Sequence, residues 1–185
     1  MDSVIYKNKL PSRSNIISHF MKLASILTKE KILLGMDADE RWPAIQELID
    51  HLDVRNLLGG ENREDILKSL LIREEQTSTG IGSGVAIPHA FSEKLNEVIA
   101  IFGRSEKGIH FDAIDNAPVR FILLFIVPQK NYHLHLHALS AIAKMFNNCE
   151  IRQNLSEAQD TAEILEIFGS TPSRTHSNHS SQRLR

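Results

Sequence analysis

Apolar and polar positions along the chain follow two different periods, and the first of them is helical. Ile45, Leu48, Ile49 and Leu52 fall at i, i+3, i+4 and i+7, and Pro43 stands where the first turn of a helix accepts proline. This spacing predicts an amphipathic helix with one face buried.

A second helix is predicted over residues 62–75. Asn62 is a residue type that caps helix N-termini. Two neighbouring apolar rows follow it, formed by Ile66 with Leu70 and by Leu67 with Leu71. We expect this helix to pack against a sheet.

The period then changes to that of strands. Val85–Ile87, Val98–Phe102 and Val119–Val127 are short apolar runs, often β-branched, bounded by Gly, Pro, Asp or Asn. In the last run only Arg120 interrupts the apolar residues, so we expect a central strand that is covered on both faces.

Helical spacing returns after the third strand. Leu139, Ile142, Ala143 and Phe146 again fall at i, i+3, i+4 and i+7. Further on, Asp160 and the acid three residues later resemble a capping box that opens a final helix, which Gly169 would end. Alternating helices and strands without a repeat predict an α/β fold.

Length and composition narrow the picture to one domain without an obvious charged partner. The 185 residues carry 21 basic and 23 acidic side chains, a net charge of −2, which gives no electrostatic reason to bind nucleic acid. No apolar run reaches the length of about 20 residues that membrane insertion requires. The single cysteine, Cys149, indicates a reducing compartment, and we expect a cytoplasmic protein.

The two ends of the chain differ from the middle in composition. Residues 1–20 are mixed and aperiodic, and residues 170–185 are rich in Ser, His and Arg. We expect a loose N-terminal arm, a domain over residues 21–169 and a disordered tail, and Met21 is a candidate for the true start.

The densest group of unusual residues is the glycine-rich segment 77–90. Glycines at 80, 82 and 84 alternate with other residues, which allows backbone amides to approach an anion closely. The nucleotide motifs GxGxxG and the P-loop are both absent, as is the GxSxG nucleophile elbow.

His89 ends this segment, directly after a short apolar strand and Pro88. A histidine at a strand end can be held rigidly and still reach solvent, and its neutral imidazole can attack a phosphoryl group. A purely structural histidine is the alternative that the residues alone leave open.

Three histidines, His133, His135 and His137, lie just before the third predicted helix. Histidines at i and i+4 share a helical face and could bind zinc, although spacing indicates no third ligand. They could instead be exposed polar residues, or donate hydrogen bonds to an anion at the helix start.

Several of these segments together resemble one known family. Arg73-Glu74-Glu75, leading to the run from Ser78 to Ala90, is similar to the active-site signature of enzyme IIA domains of the mannitol/fructose class in the bacterial phosphotransferase system. Residues 111–119 and 135–144 resemble the same family, especially its nitrogen-regulatory branch. The resemblance spans roughly residues 21–169 and implies a mixed β-sheet flanked by helices.

The resemblance also implies a set of site residues. His89 would carry a phosphoryl group received from a small HPr-like phosphocarrier protein, His135 would hydrogen-bond the phosphoryl oxygens, and Arg73 would stabilise charge. The pocket would be completed by Thr79, Gly80, Gly82, Ser83 and Gly84. Neither a metal ion nor another cofactor is needed, because phosphoryl transfer requires mainly positioning and charge stabilisation.

The resemblance leaves the use of the phosphoryl group open. We expect a regulatory phosphocarrier with a separate target protein. The alternatives are a IIA subunit that donates phosphate to a separate IIB of a sugar uptake system, and an unphosphorylated interaction module. Phe91 is a candidate docking residue. Ala90 replaces the glycine usual in the family and is expected to narrow the pocket beside His89.

Overall fold

A computed structural model describes residues 25–170, which form one mixed sheet between two layers of helices. The strands are β1 (Ile32–Leu34), β2 (Gly80–Gly82), β3 (Val85–Ala86), β4 (His89–Ser92), β5 (Ile99–Ile109) and β6 (Val119–Pro128). The helices are α1 (Arg41–Asp53), α2 (Arg63–Gln76), α3 (Tyr132–Phe146), α4 (Cys149–Glu157) and α5 (Thr161–Gly169). The expected arm 1–20, the start at Met21 and the tail beyond residue 170 lie outside the described residues.

Strand β6 is the centre of the sheet, as its apolar run predicts. The order is β1-β5-β6-β3-β2, and β4 also pairs with β6. Strand β5 is antiparallel to β6, whereas β3 and β4 are parallel to it. Every residue of β6 except Arg120 is buried, which confirms the α/β fold with a mixed sheet.

Strands β3 and β4 are two halves of one interrupted strand. Val85 is opposite Phe121 and His89 is opposite Phe125, so the register on β6 is the same before and after the break. The break falls at Ile87 and Pro88, where proline lacks the N–H that a strand ladder uses. His89 is therefore the first residue after the break, and the strand segments on both sides of the break are fixed by pairing with β6.

Each face of the sheet carries its own apolar core. One face packs on α1 and α2 and includes Ala86 and Ala90. The other packs on α3, α4 and α5 and includes Val85, Ile87 and Phe125. Side chains alternate along a strand, so the residues on one side of β3 and β4 belong to one core and their neighbours to the other.

Some elements differ from the predicted ones. Strand β5 continues to Ile109 through the polar residues 104–108, and α3 begins at Tyr132, seven residues before the predicted periodic run. Strands β1, β2 and β4 and helix α4 were not predicted. Between residues 25 and 170, none of the helices has the length and apolar character needed to cross a membrane.

Candidate active site

The imidazole of His89 has a defined partner at each ring nitrogen. Nδ1 lies 3.0 Å from the carbonyl oxygen of Ile87, and Nε2 lies 3.3 Å from Nε of Arg73. A carbonyl only accepts and a guanidinium only donates, so Nδ1 carries the proton and Nε2 presents its lone pair. Nε2 is thus the unprotonated nitrogen of the ring.

Arg73 reaches this nitrogen from the last turn of α2. Strand β4 has a strand neighbour on one side only within the described sheet, and α2 lies against it. The half-buried guanidinium also donates from Nη1 to the carbonyl oxygen of Thr77 at 3.0 Å. The positive charge of Arg73 is therefore held beside the lone pair of His89.

His135 faces His89 from the first turns of α3. The two ring centroids are 4.8 Å apart, and the rings of Phe91 and Phe125 lie 5.3 Å and 6.2 Å from that of His135. Nε2 of His135 is buried and has no hydrogen-bond partner among the residues that the structure describes. A buried polar atom without a partner is unusual, and this one lies beside His89.

The surroundings of both histidines favour the neutral imidazole, because they lower both pKa values. Burial lowers the pKa of His89, and the charge of Arg73 acts in the same direction, while the Ile87 carbonyl and Glu74 oppose it. Burial, with smaller effects of His89 and Arg73, lowers the pKa of His135 to about 4. A neutral imidazole is the form that can act as a nucleophile.

The His89 ring is more enclosed than its position at a strand end predicts. Only 9% of the residue is exposed. Its edge meets Phe91, with centroids 6.3 Å apart, and Arg73 occupies the space at Nε2. Because Arg73 is a long side chain on the helix end, it is the group whose movement would open Nε2.

Three amides of the glycine-rich segment already have hydrogen-bond partners within the protein. The amides of Thr79, Gly80 and Ser83 already donate to Glu74, to Ser78 and to Asp115, respectively. The turn at Gly82, Ser83 and Gly84 lies at the opposite end of β3 from His89, and Gly84 is five residues before His89, roughly 16 Å along an extended strand. This placement does not support the expectation that these three residues line the pocket, which stays a prediction.

The glycines have packing and turn roles instead. A Cβ on Gly80 would lie 2.7 Å from Cα of Ala113, and Gly82 and Gly84 have φ of +86° and +76°. Only Thr79 and Gly80 lie near the site, because β2 begins beside the end of β3. The spacing of small residues is typical of an anion-binding loop, but in this structure these residues form a tight hairpin between β2 and β3.

Two further expectations concern neighbours of the histidines. Ala90 belongs to the core beneath α1 and α2, on the sheet face opposite His89, so its methyl group does not narrow the pocket and that prediction is wrong. The side chains of His133 and His137 lie outside the described part of the structure. Among the side chains that are described, no group of three His, Cys, Asp or Glu residues could hold a metal ion.

Glu74 and Ile87 belong to the site, although the sequence assigned them no role. Glu74 is 2% exposed, and its carboxylate accepts from both the backbone N–H and the hydroxyl of Thr79 at 2.7 Å. A sequence signal for Glu74 exists. Glu74 follows Leu70 by four residues, as Leu70 follows Ile66, so it lies on the same buried helical row. An acid on a buried row needs hydrogen-bond donors as partners.

A mixed sheet that brings a histidine with an unprotonated ring nitrogen beside a second histidine and an arginine is an arrangement suited to the chemistry of phosphoryl transfer. The family model "Phosphoenolpyruvate-dependent sugar phosphotransferase system, EIIA 2" matches residues 25–170. The chain belongs to this family, whose members act as phosphotransfer components.

Individual relatives come from two branches of the family. The nitrogen regulatory protein of Klebsiella oxytoca is 34% identical over 149 residues, which cover 80% of this chain and 90% of that protein. The fructose-specific EIIABC component of Bacillus subtilis is 33% identical over 148 residues, or 80% of this chain. The matched region spans only 23% of the Bacillus subtilis protein.

Solved structures agree with the fold. Nitrogen regulatory protein IIA-Ntr from Neisseria meningitidis has a TM-score of 0.74 and 29% identity, with 80% of this chain and 99% of that chain covered. IIA mannitol from Escherichia coli has a TM-score of 0.63 and 21% identity, with 77% and 98% covered.

Proposed function

We propose that this chain is a phosphocarrier in which Nε2 of His89 accepts a phosphoryl group from an HPr-like phosphocarrier protein. The observation that carries the proposal is the pair of contacts on the ring: the Ile87 carbonyl holds the proton on Nδ1, and Nε2 is left unprotonated with its lone pair accepting from Arg73. Membership of the family also supports the proposal, because its members act as phosphotransfer components.

The proposed step needs no proton transfer and no cofactor. The bond between phosphorus and the donor's nitrogen breaks, the donor keeps that electron pair, and a new bond forms between phosphorus and Nε2. Nδ1 keeps its proton because the Ile87 carbonyl accepts it at 3.0 Å. The phosphorylated ring is therefore cationic and a good leaving group, which suits a carrier that must later give the phosphoryl group away.

Arg73 and His135 have complementary roles in the proposal. Arg73 covers Nε2 in the unphosphorylated protein and must move as phosphorus arrives, after which its guanidinium can bind the phosphoryl oxygens. The ring of His135 lies beside that of His89, and its Nε2 has no partner within the described part of the chain. Hydrogen bonds aimed at the transferred group stabilise the charge that spreads over its oxygens.

A regulatory role in the cytoplasm is the proposed use of the phosphoryl group. The nitrogen regulatory relatives are covered over most of their length, 90% in Klebsiella oxytoca. The phosphorylated and unphosphorylated forms would then bind a target protein differently. An interaction module that is never phosphorylated is the less favoured alternative, because the nucleophile and its partners are assembled.

The experiment is incubation with phosphoenolpyruvate, enzyme I and the phosphocarrier protein, followed by intact-mass analysis. We expect the wild type to gain one acid-labile phosphoryl group and His89→Gln to gain none. His110→Gln, a change at an exposed histidine, is the matched control and should be modified like the wild type. Equal labelling of His89→Gln and wild type would overturn the assignment.

Donation to a sugar-specific IIB is the second candidate, and the similarity to a fructose-specific protein at 33% identity favours it. The purified phosphorylated chain should then lose its phosphoryl group rapidly to a fructose-type IIB domain. Retention of the group in the presence of that domain supports the regulatory role.

A further inference from the structure

Glu74 is a buried acid that the proposed transfer step does not use. It is the residue after Arg73 in α2, and only 2% of it is exposed. Both carboxylate oxygens accept from a single residue: Oε1 from the backbone N–H of Thr79 and Oε2 from its hydroxyl, each at 2.7 Å. Because a buried carboxylate is costly unless its oxygens are hydrogen-bonded, this pair fixes Thr79 firmly against the end of α2.

The hydrogen bonds continue from Thr79 to the nucleophile. The N–H of Ile87 donates to the carbonyl oxygen of Thr79 at 3.0 Å, and the carbonyl oxygen of Ile87 accepts from Nδ1 of His89 at 3.0 Å. Ile87 stands in the break between β3 and β4 and has no partner residue on β6. The hydrogen bond to Thr79 therefore holds Ile87 in place. It thereby also positions the Ile87 carbonyl that accepts from His89.

We propose that Glu74 is a positioning residue that, through Thr79 and Ile87, sets the tautomer of His89. Its carboxylate keeps the Ile87 carbonyl on Nδ1 and so keeps Nε2 unprotonated. The consequence for phosphoryl transfer rests on the proposed function. The tautomer itself is a property of the unphosphorylated protein and is measurable without any transfer.

Three substitutions separate positioning from charge. Glu74→Leu removes both acceptors at similar volume. Glu74→Gln keeps an oxygen for the Thr79 N–H, and its amide group can donate to the Thr79 hydroxyl, so it preserves the geometry while removing the charge. Glu75→Gln makes the same charge change one residue along, on an exposed side chain, and is the matched control.

The first measurement is ¹⁵N NMR of the His89 ring nitrogens at pH 7.5 in the unphosphorylated full chain. The wild type, Glu74→Gln and Glu75→Gln should carry the proton on Nδ1. In Glu74→Leu the ratio of the two tautomers should move by about tenfold toward Nε2–H, the effect of losing one hydrogen bond. A merely structural role would lower stability without changing the tautomer.

The second measurement is single-turnover phosphoryl transfer. In Glu74→Leu the transfer rate at saturating donor should fall about tenfold, whereas the donor concentration that gives half of the maximal rate should stay the same. Glu74→Gln should transfer at the wild-type rate. If Glu74→Leu does not fold, Thr79→Val, which removes only the hydroxyl bond, should show a smaller shift of the tautomer in the same direction.

A wild-type tautomer in the folded variant would overturn the positioning role. Failure of the wild type to accept a phosphoryl group would instead overturn the proposed function, because the NMR result does not depend on transfer.

Discussion

Protonation of the site histidines should make the fold less stable as the pH falls below 7. His135 is 6% exposed, and its burial lowers its pKa from 6.5 to about 4. In the unfolded chain the same side chain takes up its proton near pH 6.5. Between pH 6.5 and 4 the unfolded state therefore binds more protons, and the folded state loses stability as the pH falls.

The size of the effect follows from the difference between the two pKa values. His135 alone should remove about 2 kcal/mol of unfolding free energy between pH 8 and pH 5, and about 3 kcal/mol once the pH is below 4. The lowered pKa of His89 acts in the same direction, because that ring is also buried as the neutral form.

Urea unfolding followed by circular dichroism at pH 8, 7, 6 and 5 measures this dependence. His135→Gln should flatten the slope below pH 7 relative to the wild type, and His110→Gln controls for the loss of one histidine at an exposed position. Equal losses of unfolding free energy between pH 8 and pH 5 in the wild type and in His135→Gln would show that His135 is not the source of the pH dependence.

Two further predictions concern Arg73 and Gly80. Arg73→Ala should slow phosphoryl acceptance by about 100-fold in rapid-quench measurements, because it removes a charged donor beside Nε2, and Arg73→Lys should recover part of the rate since it keeps the charge but loses the planar fork. A wild-type rate in Arg73→Ala would contradict this role. Gly80→Ala should lower stability by about 1 to 3 kcal/mol in thermal unfolding, because its Cβ would meet Ala113 at 2.7 Å. An unchanged melting temperature would count against that account.

Elements that bury one continuous apolar pattern were predictable from the sequence. The caps illustrate this. Asn62 accepts from the amides of residues 64 and 65 and begins α2, and Asp160 accepts from Ala162 and Glu163 and begins α5. The carboxylate of Glu163 reaches back one residue further than a capping box predicts, to the N–H of Gln159. Local chemistry was sufficient because each of these signals acts within one helical turn.

Elements held by distant partners were not predictable in the same way. Strand β1 has three residues and exists through parallel pairing with β5, and β2 owes its ladder to β3 and its shape to the loop around Ala113. Pattern reading assigned the glycine segment to an anion, because a hairpin turn and an anion loop require the same residue types. The two differ in which groups accept hydrogen bonds from the backbone amides. Here the acceptor for the Ser83 amide is Asp115, which is 32 residues away and could not be identified from local sequence.

The nearness of Arg73, His89 and His135 came from the family resemblance and not from spacing. These residues lie on α2, β4 and α3, and only the packed sheet brings them within contact. The enclosure of His89 was also beyond sequence reasoning, because its cover comes from side chains of separate elements.

The atom that meets Nδ1 of His89 belongs to the main chain. Replacing the Ile87 side chain by another apolar residue leaves a carbonyl at the same place. Sequence drift at position 87 therefore need not alter which ring nitrogen is left free. Side chains around position 87 can therefore change while the Ile87 carbonyl oxygen continues to keep the proton on Nδ1 of His89.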